Sequence, residues 1–224
     1  MQIADNVLRG YLKDCYFITG TAYAGKSTMC AMLAERYSML LCGENYGTDY
    51  YFTIADRQNQ PNLCFLRDMA SWQDYLNRTP EEYERWSKGS AAEVADFELA
   101  ELIRRSAQGR PMIVDTNLSC ETLRRIADPQ HVAILLSPQS LSVDRWFERP
   151  DPEKQRILQE IAKNPDPEAA LANFRECLAR VNSPEQYQAY LNSGFFTLIR
   201  KDEDRDTREE MLAALAAHFG LEPR

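Results

Sequence analysis

Residues 20–27 read Gly20-Thr21-Ala22-Tyr23-Ala24-Gly25-Lys26-Ser27, which fits G-x-x-x-x-G-K-[ST] at every fixed position. Upstream, Cys15-Tyr16-Phe17-Ile18-Thr19 is a short apolar, β-favouring run that stops at Gly20; downstream, Met29, Met32, Leu33 and Tyr37 fall on one helical face. The loop therefore joins a predicted strand to a predicted helix, the context in which this spacing carries chemistry. The glycines let the backbone curl so that successive N–H groups point inward, and the helix N-terminus adds the positive end of its dipole. Gly20, Thr21, Ala22, Tyr23, Ala24, Gly25, Lys26, Ser27 and Thr28 are thus a candidate cradle for a chain of phosphates. Lys26 would bring a point charge to the β- and γ-phosphates, and Ser27 a hydroxyl to Mg²⁺.

Working outward, the same alternation recurs. Met39-Leu40-Leu41-Cys42 ends at Gly43, Met112-Ile113-Val114 follows Gly109-Arg110-Pro111, and Val132-Ala133-Ile134-Leu135-Leu136 ends at Ser137-Pro138. Each reads as a strand buried on both faces. Phe195-Phe196-Thr197-Leu198-Ile199 is a fifth candidate. Thr79-Pro80-Glu81-Glu82, Ser183-Pro184-Glu185-Gln186 and Asp206-Thr207-Arg208-Glu209 each place a capping oxygen three residues before an acid or amide, and the last helix runs to Gly220. Strands alternating with helices imply an α/β fold: a parallel five-stranded sheet with helices on both faces and ligands beyond the carboxyl ends of the strands. The chain is expected to form one domain over 1–224, with a helical, aromatic-rich insertion over about 43–95 that covers the sheet edge. Within it, Met69, Trp72 and Leu76 have the spacing of one buried helix face.

Composition removes several classes of function. Of the 224 residues 44% are apolar and 27% charged, a globular balance. Twenty-six Lys and Arg against thirty-four Asp and Glu give a formal charge of −8 with no basic block, so no nucleic-acid partner is expected. No run approaches the length of a membrane span, and Arg9, Lys13 and Asp14 leave no room for a signal-peptide core. Six scattered cysteines without a C-x-x-C pair fit a reducing, cytoplasmic setting, and His131 and His218 have no neighbouring soft ligand that would suggest zinc. Oligomeric state leaves no mark in the sequence.

Over about residues 12–40 by motif, and over the whole chain by strand and helix order, the sequence resembles the P-loop NTPase superfamily. It lacks the N-K-x-D of GTPases and the L-S-G-G-Q of ABC ATPases, and its size resembles the branch of nucleoside-monophosphate and small-molecule kinases. That resemblance implies a three-layer sandwich with a lid over about 140–165, ATP and Mg²⁺ as cofactors, and a small-molecule or nucleotide acceptor. Asp144-Arg145-Trp146-Phe147-Glu148-Arg149-Pro150-Asp151-Pro152-Glu153-Lys154 is similar to the lid of those kinases, which implies that Arg145 and Arg149 reach the transferring phosphoryl group. The same residues also fit a helix start with Asp151 as N-cap and Pro152 at the first helical position. Asp115 resembles the Walker B acid; it could hold Mg²⁺ with Ser27 or accept the acceptor's proton, and Glu44 occupies the other place where such kinases carry a base. The D-x-D patterns of shikimate- and gluconate-type enzymes are missing.

Acceptor identity should be written in the insertion, where Tyr46, Tyr50, Tyr51 and Phe52 accompany Asp49, Asp56 and Arg57. Glu44, Tyr46, Asp49 and Arg57 are the candidate substrate contacts, and Arg57, Arg67 and Arg78 are candidates for an acceptor phosphate. A nucleotide and a hydroxylated metabolite both stay open. The expected activity is ATP-dependent phosphoryl transfer by Lys26, Asp115, Arg145 and Arg149; the alternative is a non-catalytic ATP-binding switch that acts on a protein partner.

Overall fold

In a computed structural model, which describes residues 3–148, 152–200 and 205–222, the apolar runs pair as a parallel sheet. Its strands are β1 (Cys15–Gly20), β2 (Leu40–Cys42), β3 (Met112–Asp115), β4 (Val132–Leu136) and β5 (Phe196–Ile199), in the spatial order β2-β3-β1-β4-β5. Ile18 lies beside Asp115 of β3, and Gly20 beside Leu135 of β4. The sheet grows to one side of β1 and then to the other. The carboxyl ends of β3, β1 and β4 therefore border the crevice where an open α/β sheet places its ligand.

The helices are α1 (Asp5–Tyr11), α2 (Lys26–Tyr37), α3 (Thr48–Ile54), α4 (Pro61–Asp68), α5 (Trp72–Leu76), α6 (Pro80–Ser106), α7 (Cys120–Ile126), α8 (Gln139–Ser142), α9 (Pro152–Ile161), α10 (Pro167–Val181), α11 (Pro184–Leu191) and α12 (Arg208–Phe219). Alternation along the strands divides them between two faces. Phe17, Val114, Ile134 and Leu136 pack against Leu8, Leu102, Leu123 and Ile126 of α1, α6 and α7. Ile18, Ile113, Ala133 and Leu135 pack against Met29, Leu33, Leu212 and Phe219 of α2 and α12. A separate aromatic cluster, with Tyr75, Tyr83 and Phe174 buried and Trp86 and Trp146 against them, ties α5, the first turns of α6, α10 and the segment after β4 together.

Several expectations need correction. β2 is an edge strand, and Leu41 is 42% exposed rather than buried on both faces. The insertion has no boundary at Ala95, because α6 runs unbroken from Pro80 to Ser106 and carries the chain from the aromatic cluster down to the sheet. Met69, Trp72 and Leu76 do pack together, but on two helices, since Met69 is the C-cap of α4 and Trp72 begins α5. Thr79 and Ser183 cap α6 and α11 through Glu82 and Gln186 as read from sequence. At α12 Asp206, the capping oxygen read from sequence, accepts from the Arg208 N–H at 3.1 Å but lies one residue before the N-cap Thr207, which makes no side-chain cap. The histidines pack on rings: His131 lies tilted against Tyr16, and His218 stacks on Phe196 with Nε2 3.0 Å from the Val132 carbonyl. The six cysteines are free thiols, and no helix among the described residues is long and apolar enough to cross a membrane.

Gly20 shows how tightly the loop's first residue is bound to the sheet. Its φ is +133°, and a Cβ there would lie 1.8 Å from the Leu135 carbonyl oxygen, a backbone atom of a central strand that cannot yield. Gly20→Ala is expected to destabilise the fold by at least about 2 kcal/mol, combining a backbone that L side chains avoid with overpacking. Urea unfolding of the purified variant checks this; a midpoint equal to wild type would contradict it.

Candidate functional site

The loop between β1 and α2 is shaped by left-handed residues, Tyr23 at φ 67° and the N-cap Gly25 at φ 88°, so its amides turn inward ahead of the helix. Neighbouring strand ends hold it there. Ser137 N donates to Thr21 Oγ1 at 2.7 Å, Ser137 Oγ donates to the Ala22 carbonyl at 2.6 Å, and Arg200 Nη1 donates to the Tyr23 carbonyl at 2.8 Å. Ser137 and Arg200 follow β4 and β5, so the loop is pinned from the far side of the sheet. Sequence reasoning assigned neither residue a role.

Lys26 is 8% exposed, and its ammonium donates to the Thr21 carbonyl at 3.2 Å, curled back over the loop. Ser27 Oγ donates to Asp115 Oδ2 at 2.7 Å, joining the first turn of α2 to the end of β3. The sequence reading gives Lys26 to phosphate and Ser27 and Asp115 to Mg²⁺; in the structure Lys26 bonds the loop's own backbone, and Ser27 and Asp115 bond each other. Ala24 instead points into the core against Met29 and Ile18, so it contributes its backbone alone.

In front of the loop opens a cavity of about 1240 Å³. Gly20, Thr21, Ala22, Tyr23, Gly25, Lys26 and Ser27 line its inner end; Glu44 and Asn117, after β2 and β3, flank it. Its outer walls come from the exposed side of α6, from Trp146 and Lys154, and from the α10–α11 junction. Glu44 thus joins the cavity. Asp49 is exposed on α3 and does not line it, and Arg57 is held by Asp68 at 2.9 Å well away from it. Arg67 is spent on Asp68 and on the Phe52 and Ala55 carbonyls, and Arg78 lies over the Phe65 ring at 3.9 Å. Arg145 is half-exposed beside Glu148 at 3.8 Å and does not line the cavity; Arg149 lies outside the described residues. Among the described residues, the cation that the segment after β4 brings to the wall is Lys154, with Nζ 5.1 Å from the centre of the Trp146 ring.

Glu98 is the residue that sequence reasoning missed. It sits on α6, is 7% exposed, lines the cavity, and leaves Oε1 buried without a hydrogen-bond partner. A signal existed. Val94, Glu98 and Leu102 are spaced by four, so an acid interrupts a stripe that otherwise faces the interior. Tyr46 and Tyr51 lie behind it with their hydroxyls buried, Tyr51 being stacked on Phe97 at 5.1 Å. Tyr46 is therefore near the site but behind its wall rather than on it.

Burial pushes the Glu98 carboxyl up to about 7, opposed by the Thr116 hydroxyl and reinforced by the Asp115 charge. An acid whose folded pKa is raised holds its proton in the native state over a range where the unfolded chain has lost it. Stability attributable to Glu98 therefore falls as pH rises from about 4.5 to about 7, and is flat beyond. Glu98→Gln removes that slope. Its unfolding free energy relative to wild type should grow by about 3 kcal/mol between pH 4.5 and 8, from about 1.4 kcal/mol per pKa unit. Denaturant titrations of both proteins across that range test it, and a difference that does not change with pH would show that Glu98 is ionised in solution.

Among the described residues no group of three or more His, Cys, Asp or Glu side chains is placed to hold a metal unaided. Comparison with known protein families and with curated protein sequences finds no match to this chain.

Proposed function

We propose that the chain is a P-loop kinase that transfers a phosphoryl group from ATP to a small-molecule acceptor. The observation that carries this reading is the continuity of one cavity, which begins at the Lys26 and Ser27 end of the glycine loop and extends about 1240 Å³ outward to α6 and α10. A phosphate chain on the loop fills only the inner end. The remaining space is the size of small-molecule sites, roughly 300–1,000 Å³, and suits a second substrate placed in line with the terminal phosphate.

The residues present fit Mg²⁺. Ser27 Oγ and Asp115 Oδ2 are hard oxygen donors already 2.7 Å apart, and a site with one or two protein oxygens, completed by phosphate and water, is how this ion is ordinarily held. When bound, Mg²⁺ would neutralise charge on the β- and γ-phosphates. Inward amides of residues 22–26 orient the phosphate chain, the Thr21 amide being held by the Leu135 carbonyl at 3.1 Å, and the Lys26 ammonium leaves the Thr21 carbonyl for the β- and γ-oxygens. Bracing by Ser137 and Arg200 keeps the loop from relaxing as charge moves. Arg145 can contribute only if the segment carrying it turns inward, since its guanidinium now faces Glu148 and solvent.

Calorimetric titration with ATP in the presence of Mg²⁺ tests the reading. Saturable binding and stabilisation in a thermal melt are expected. Wild-type protein that shows neither is not a P-loop kinase.

A further inference from the structure

The walls of the cavity also bear on what the acceptor is. Beyond Lys26, its described lining includes the carboxylates Glu44, Glu81, Glu84, Glu98, Glu176 and Glu185. Against these six stand the cations Lys88, Lys154 and Arg180. All three have partners: Lys88 reaches Glu84 at 2.6 Å, Arg180 spans Glu84 at 2.5 Å and Glu81 at 2.8 Å, and Lys154 lies over the Trp146 ring at 5.1 Å. Sites that recognise a phosphate monoester present arginine forks to it. Here Arg180 is the one arginine on the described lining, and two glutamates hold it; Arg57, Arg67 and Arg78 all face elsewhere. A dianionic acceptor would enter a wall of its own sign.

Glu98 adds the positive half of the inference. It is more than nine-tenths buried, faces the cavity from α6, and has an Oε1 to which nothing in the described structure donates. A buried acceptor atom left unpaired costs about 1–3 kcal/mol, and a bound donor would recover that. Thr116, next to Asp115 at the end of β3, lies close enough to the same carboxyl group to oppose its rise in pKa, so Glu98 is near the strand ends where transfer would occur.

Building on the kinase reading, we infer that the acceptor is a hydroxyl compound carrying no phosphate of its own, neutral or amine-bearing, and that its hydroxyl or ammonium donates to the Glu98 carboxyl group as that side chain turns its buried Oε1 into the cavity. Nucleoside monophosphates are excluded as acceptors on this view. The excess of carboxylates places amine-bearing compounds ahead of neutral ones.

The test uses full-length protein saturated with ATP and Mg²⁺, with ADP release and acceptor phosphorylation followed over two arms. One arm holds AMP, GMP, CMP and UMP; the other holds amino alcohols, amino sugars, polyols and the four nucleosides. At least one compound of the second arm should be phosphorylated, and none of the first. Phosphorylation of any of the four monophosphates overturns the inference, as does failure of the whole second arm. Both leave the kinase reading standing where ATP binding, measured on the same samples, is intact; absent ATP binding removes that reading instead. With the working acceptor, Glu98→Gln should raise KM for the acceptor at least about tenfold with the Kd for ATP unchanged. An unchanged acceptor KM overturns the assignment of Glu98.

Discussion

Lys26→Met should weaken the binding of ATP with Mg²⁺ by about 10²–10³-fold while leaving the fold intact. The side chain is nearly buried, and its ammonium bonds a backbone carbonyl, Thr21 O at 3.2 Å, rather than a carboxylate. Methionine matches the aliphatic stem, so packing is kept, and removing a buried charge without an ion-pair partner costs the apo protein little. What is lost is the point charge at the head of the cavity, where the other nearby cations are bound up: Arg200 donates to the Tyr23 carbonyl, and Lys88 and Arg180 pair with Glu84 and Glu81. The measurement is a pair of thermal melts and titrations. Ligand at about 100 times Kd should stabilise wild type by about 2.7 kcal/mol and the variant hardly at all, their unliganded melting points agreeing to within a few degrees. A variant that binds ATP as wild type does would show that the loop does not meet the phosphates.

How much of this was legible in sequence depends on whether a feature is local. The strands of the central sheet, the Thr79–Glu82 capping box, the Ser183 cap of α11, and the Met29, Leu33 and Tyr37 face of α2 are set by residues within a turn or two of each other, and the structure has them where the pattern put them. Strand order was not legible, because it depends on which edge each crossover covers. That is also why β2 was read as buried when Leu41 faces outward. In the site, Ser27 and Asp115 are 88 residues apart and were paired only through the family resemblance; the structure places them in contact. Ser137 and Arg200 are ordinary loop residues in sequence, and only the docking of β4 and β5 beside β1 brings them to the loop. The arginines were the weakest guide. A guanidinium finds the nearest carboxylate or ring, and Arg57, Arg67 and Arg78 have found theirs in α4 and the aromatic cluster rather than in the cavity.

Asp115→Asn should keep the fold and most of the nucleotide affinity and lower turnover by about 10²–10⁴-fold. Asp115 is 2% exposed at the end of β3, where asparagine has the same shape and its amide oxygen can still accept from Ser27 Oγ, the present contact being 2.7 Å. What changes is the formal charge, and two roles for that charge separate in the kinetics. If Asp115 steadies Mg²⁺ beside Ser27, the variant needs much more Mg²⁺ to reach half its maximal rate, and Mn²⁺, which binds nitrogen and oxygen donors more strongly, restores part of the turnover. If Asp115 takes the acceptor's proton, the Mg²⁺ requirement is unchanged and the rate rises with pH as the acceptor ionises on its own. The Ser27 contact favours the first outcome, because a proton acceptor already receiving a hydroxyl from the loop is turned toward the donor nucleotide rather than toward the outer cavity. Undiminished turnover in Asp115→Asn would remove it from the chemistry and leave two of the acids that line the cavity, Glu44 and Glu98, to carry the acceptor side between them.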